Sequence, residues 1–286
     1  WGACAGLLVW QVAMRMATAR QRRTLTFEFT LQKNHYLQLL AHIGVYVYWG
    51  WYWPEVTNHA WLIVAQIVFA YAFDMLLAWS RRDSWRLGFG PFPIILSTNL
   101  FLWFRDDWFV LQLLMVALGF IGKELFTWTK DGRRTHIFNP SGFSLSVFSI
   151  VLIALGQTDL TWGQEIAQTL RYPEHMYLVI FLLGLFVQYF FAVTLMTLSA
   201  AAALFVLGAV YSGVTGVYFF VDTSIPIAVF LGLHLLITDP STSPRTALGR
   251  VLFGALYGAS VFVLYALFVP LGVPAFYDKL LCVPVL

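Results

Sequence analysis

VYFFVDTSIPIAVFLGLHLLITDPSTSPRTALGRVLFG, residues 217–254, decides the fold: a short apolar helix runs into a polar turn before the next apolar helix begins. Pro226 removes a backbone donor near the start of the segment. Residues 224–237 make only about 21 Å of helix, short of a ~30 Å hydrocarbon core. The turn Thr238-Asp239-Pro240-Ser241-Thr242-Ser243-Pro244 must complete the crossing. It does so only if buried in protein or lining a wet cavity, because lipid satisfies no open backbone groups.

The rest of the chain reads the same way. Hydrophobic residues make up 60% and charged residues 11%, against roughly 25% charged in soluble domains, so a polytopic, all-α integral membrane protein is expected. Apolar segments recur over all 286 residues with short connections, which favours one bundle at 35–286 after an N-terminal segment at 1–34. The net charge of +3 sits in particular loops and speaks to topology rather than to nucleic acid. Cys4 and Cys282 are the only cysteines, which excludes a Cys-ligated zinc site or an iron–sulfur cluster from this chain alone. A disulfide between them has no support in the sequence. Trp1 in place of an initiator methionine implies a longer product. Residues 1–18 lack a signal peptide's cationic start and cleavage site and read as an interfacial helix in preference to the tail of an earlier span.

Spans are expected at 35–53, 58–79, 88–104, 108–128, 141–155, 176–193, 196–220, 224–237 and 247–269, with a truncated tenth at the C-terminus. Trp49, Trp51, Tyr52 and Trp53 form an aromatic belt. The third span, with Pro91 and Pro93 in GFGPFP, is discontinuous like the eighth. The small-residue run 199–203 suits close helix packing. Basic residues gather at 15–23, 81–86, 123–134 and 245–250, whereas 54–59 and 221–224 carry none. The basic side is therefore cytoplasmic, and the loop at 156–175 is external. Arg105 also falls outside, offset by Asp106 and Asp107. Two inverted five-helix repeats, about 35–157 and 176–286, would place the discontinuous helices in corresponding positions, the usual pointer to a midplane site.

Two segments carry a resemblance. IGKELFTWTKDGRRTHIFNPSGFSLSVFSI (121–150) and ITDPSTSPRTALGRVLFGALYG (237–258) are similar to motifs of the RnfD/NqrB family, membrane subunits of bacterial ion-pumping redox complexes. The resemblance implies a ten-span inverted-repeat bundle in the bacterial inner membrane, other subunits and membrane lipid as partners, and a flavin or quinone. The family's covalent-FMN threonine motif has no counterpart in GQTDLTWGQEIAQTLRYPEH, and Ser212-Gly213-Val214-Thr215 lies within a span, so any flavin is expected to be non-covalent. The chain looks like a divergent relative, similar to RnfD-like proteins encoded with enediyne biosynthesis genes.

Candidate ligand residues are Lys123, Asn139, Thr238, Asp239, Ser241 and Thr242. Asp239 either meets cofactor hydroxyls or a cation, or it caps the next helix or holds the turn through an Asx bond; the second reading leads. Asn139, before Pro140, carries the same ambiguity. Lys123 snorkels to the interface or turns inward. Asp74, inside FAYAFDMLLAW, is an intramembrane carboxylate and a functional candidate by default. His42 and His234 are weak haem-ligand candidates, with packing histidines the leading reading. No metal site and no catalytic residue is assigned. The expected function is a membrane subunit of an electron-transfer complex; the alternatives are a transporter or channel for a polar solute or ion, and a scaffold for a partner.

Overall fold

The computed structural model describes residues 1–283 apart from 106, 108, 131 and 222–225. It is mostly helical. In order come α1 (Gly2–Gln21), α2 (Lys33–Tyr52), α3 (Pro54–Asn58), α4 (Ala60–Arg81), α5 (Pro91–Asn99), α6 (Phe109–Leu125), α7 (Pro140–Leu155), α8 (Gly163–Thr169), α9 (His175–Phe191), α10 (Thr194–Thr215), α11 (Ile227–Leu231), α12 (Ala247–Phe268) and α13 (Tyr277–Cys282). Among the described residues, α4, α10 and α12 are long and apolar enough to cross a membrane, and α7, α9 and 227–236 are shorter apolar helices.

Departures from the all-α expectation lie outside the apolar bundle. Strand β1 (Thr26–Phe29) pairs in parallel with β2 (Ser84–Leu87), and β3 (Thr127–Lys130) pairs antiparallel with β4 (Arg133–His136). The second pair turns at Gly132, whose φ of +73° glycine adopts without steric cost. Helix α6 therefore ends at Leu125, where a span was expected to run on to 128, because Thr127 and Trp128 favour a strand once the chain leaves the core. Helix α10 stops at Thr215, short of the expected 220, where Gly216 takes a left-handed cap. Trp49 is wholly buried and donates to the Thr169 hydroxyl at 3.1 Å, so it is core, while Trp51 stays exposed. Both cysteines are free.

The first short segment ends sooner than expected. Helix α5 stops at Asn99, and the buried residues 100–104 run on without helix. Their backbone is satisfied from within the protein. Gln112 Oε1 accepts the Phe104 N–H at 2.8 Å and Gln112 Nε2 donates to Asn99 Oδ1 at 2.9 Å. Asn99 Nδ2 in turn donates to Gln66 Oε1 at 2.8 Å. The N–H groups of Arg105 and Trp162 bond across to Leu160 and Trp103. Gln112→Leu would orphan the buried Phe104 N–H and leave Asn99 Oδ1 only the longer bond from Gln66 Nε2, at 3.3 Å; we expect a loss of roughly 1–3 kcal/mol, seen as a lower melting temperature in detergent. An unchanged melting temperature would contradict this reading of the break.

The second short segment starts at Pro226 as α11 and continues as a π-helical turn, Gly232–Leu236; residues 224 and 225 lie outside the described residues. Gly232 packs against the Tyr257 hydroxyl and Lys279. The freed carbonyls find partners: the Thr197 hydroxyl donates to Leu233 O at 3.0 Å and Asn139 Nδ2 to Leu236 O at 3.1 Å.

Ion pairs mark the two ends of the bundle. At one end Arg23 meets Asp83 at 2.6 Å, and Glu124 is held by Arg81 at 3.4 Å and by Arg82. At the other, Arg105 pairs with Glu165 at 2.5 Å and stacks on Trp162; Asp106 lies outside the described residues. Glu165 is thus the partner observed for Arg105. The segment 156–175 sits at this second end, away from the basic cluster. Helix α1 packs along α4, with Trp10 edge-on to Phe73 at 5.4 Å.

Candidate functional site

Both short segments open onto one polar cavity of about 90 Å³ at the basic end of the bundle. Gly90, Pro93 and Ser97 line it from the first, and Leu235, Asp239 and Ser241 from the second and its turn. Helix α2 contributes His35, Gln38 and His42, and the 121–150 segment contributes Lys123, His136, Asn139 and Ser141. The cavity thus lies where the two motif-bearing segments meet.

Each side chain is placed by a local rule. Asn139 caps α7, its Oδ1 accepting from the backbone N–H groups of Ser141 at 3.1 Å and Gly142 at 3.3 Å. Because its Nδ2 bonds to Leu236 O, the same residue ties α7 to the end of the π turn. Lys123 turns inward over the Phe120 ring, 5.6 Å from its centroid, and lies 3.9 Å from where a Cβ on Gly90 would stand. A Cβ at Gly90 would stand in ordinary contact with Lys123 and with His35, whose ring is 3.4 Å from the same point, so a larger side chain there would take up the space between them.

Asp239 holds its own turn. Oδ1 accepts from Ser241 N at 3.4 Å, Oδ2 from the Thr242 hydroxyl at 3.0 Å, and the backbone carbonyl from Ser243 Oγ at 2.6 Å. It does not cap the next helix; Thr246 does, accepting from Gly249 N at 3.0 Å. His136 Nε2 stands 3.6 Å from Asp239 Oδ2, an ion-pair distance too long for a hydrogen bond, and that nitrogen has no hydrogen-bond partner. Burial pushes the Asp239 carboxyl up, but His136, Thr242 and the Ser241 N–H outweigh it and hold the group below the usual carboxylate range.

At the inner wall, His42 is 3% exposed. Its Nδ1 lies 2.7 Å from Gln38 O; a carbonyl only accepts, so Nδ1 carries the proton and the neutral ring presents a lone pair at Nε2. That Nε2 is buried without a partner. The site therefore offers a buried proton acceptor behind an ammonium, a carboxylate and two further imidazoles.

Of the residues expected from sequence, the structure brings Lys123, Asn139, Asp239 and Ser241 to the cavity. Thr238 bonds back to His234 O at 3.3 Å and Thr242 to Asp239; both shape the turn rather than the cavity. His42 and His234 line different cavities, so they do not face one iron as bis-imidazole ligation requires. Asp74 accepts from Trp85 Nε1 at 2.8 Å on strand β2, an anchor for the basic end. Sequence reasoning missed His35, His136 and the Gln66–Asn99–Gln112 ladder. The glutamines' only signal was a lone amide in an apolar span.

The flavin or quinone expected at this turn does not fit. At about 90 Å³ the cavity is well below the roughly 300–1,000 Å³ of cofactor pockets. Water, a proton or a small cation is what the space and its acceptors suit. Searches against protein-family models, curated proteins and solved structures return no match to this chain.

Proposed function

We propose that the chain is the membrane subunit of an electron-transfer assembly in a bacterial inner membrane, and that its own part is to admit a proton or small cation through the polar cavity. The observation that carries this reading is the meeting of both motif-bearing segments on one cavity. The inverted repeat is part of the proposal. Its support is a matching set of packing partners: α2 on α9 and α7 on α13 between the halves, α4 on α6 and α10 on α12 within them, and α2 on α5 as α9 on the π turn. The basic end faces the cytoplasm, so an incoming ion meets Lys123 and Asp239 first and His42 last.

Transport by the chain alone, without a redox partner, is the second reading, favoured by a cavity sized for an ion and not for a flavin. Purified protein in sealed vesicles separates the two. Dissipation of an imposed pH gradient without any electron donor supports stand-alone transport; dissipation only with a reduced partner complex supports the assembly. No flux under either condition counts against both.

A further inference from the structure

A second cavity, about 600 Å³, lies between α9, α10 and α11. Its walls are apolar, and Phe181, Leu198 and Phe205 on its rim are exposed on the outside of the bundle, where acyl chains would surround them. Its polar lining residues are Gln188, Thr194, Thr197, Ser212, Tyr218 and His234. Gln188 is 2% exposed, and its Nε2 is buried without a hydrogen-bond partner. His234 Nδ1 lies 2.8 Å from Phe230 O, so Nδ1 carries a proton and Nε2 is the acceptor of the neutral ring. Both residues line this one cavity, and Gly184, one turn before Gln188 on the same face of α9, packs so tightly on His234 that a Cβ there would stand 2.5 Å from its ring.

We propose that this cavity binds a long-chain fatty acid, with the carboxyl head between Gln188 and His234 and the chain along the apolar walls. Three features select that class. An orphaned amide donor on one helix and an imidazole acceptor on another ask for an acceptor and a donor on adjacent atoms, which a carboxylic acid supplies. No lysine or arginine is among the lining residues, so a phosphate headgroup finds no counter-charge. The volume lies within the range of sites that bury most of a ligand of this size.

The test uses the full chain in phosphatidylcholine vesicles with a photoactivatable fatty acid carrying its diazirine in the alkyl chain. Crosslinks are expected on peptides of α9, α10 and α11, displaced by palmitate and about tenfold less well by methyl palmitate or hexadecanol, each of which lacks half of the paired head. Gln188→Leu should weaken labelling by about tenfold. Gly208→Phe, at a lining position with nothing within 4 Å of its Cβ, should fill the cavity and abolish labelling with the fold intact. Equal displacement by the acid, the ester and the alcohol would overturn the proposal and leave bulk acyl chains as the occupant. That comparison uses wild-type protein, so it decides the matter even where a variant fails to fold.

Discussion

Gly254→Ala will destabilise the protein by about 1–3 kcal/mol, and Gly254→Leu by more. Helix α12 runs so close to α10 that a Cβ at position 254 would strike the Met196 carbonyl and stand 3.1 Å from Ala200 N; at Gly258 it would stand 2.5 Å from Ala200 O. Backbone cannot step aside as a flexible side chain can, so the helices must part. The loss should appear as a lower melting temperature in one fixed detergent. Gly213→Ala on α10, with nothing within 4 Å, is the control: it should be neutral or stabilising by up to ~1 kcal/mol through helix propensity. Equal behaviour of the two alanine variants would show that close approach is not what joins α10 to α12.

Asp239→Asn will cut ion flux or assembly activity at least tenfold while leaving the melting temperature near wild type at neutral pH. Asparagine keeps an oxygen for the Ser241 N–H and a polar atom for Thr242, so the turn survives and the charge beside His136 goes. Asp239→Ala loses the bonds as well, and about 1–2 kcal/mol of stability with them. The acid limb gives a second readout. Because the folded carboxyl is held below its usual range, its contribution is complete above the unfolded value near pH ~4 and disappears as pH falls through the lower folded one. Wild type should therefore lose stability below about pH 4 and the asparagine variant less so. Full activity in both variants at normal protein levels would reduce this turn to architecture.

How far the sequence carried the fold depended on whether a signal was local. Pro226 and the polar run 238–244 announced a break, and the break is there. So did Pro91 and Pro93, but they mark only where α5 begins; where it ends is set by Gln66 and Gln112 on two other helices, which no local pattern encodes. The small residues at 199–203 foretold close packing without naming Gly254 and Gly258 as its partners. At the candidate site, Asn139 and Asp239 stood out because Asn-Pro and Asp-Pro are turn formers, and their turn-holding bonds are the ones expected. His35 and His136 carried no such mark. They matter only because α2 and strand β4 end beside the same turn.

The most direct test asks whether the cavity is open to the cytoplasm as far as Ser97, which lies inside it with its hydroxyl 3.4 Å from that of Ser141. Ser97→Cys in a Cys4→Ser background would be exposed to silver ions from one side of sealed, oriented vesicles, and unreacted thiol then titrated with maleimide after denaturation. Cys282, buried against Asp278 O, gives the background from the parent. We expect silver to block position 97 rapidly from the cytoplasmic side and not from the external side, and to do so more slowly in the presence of Gly90→Leu, which fills the mouth. Block from the external side alone, or no block while a Ser241→Cys control at the mouth reacts fully, would contradict the account.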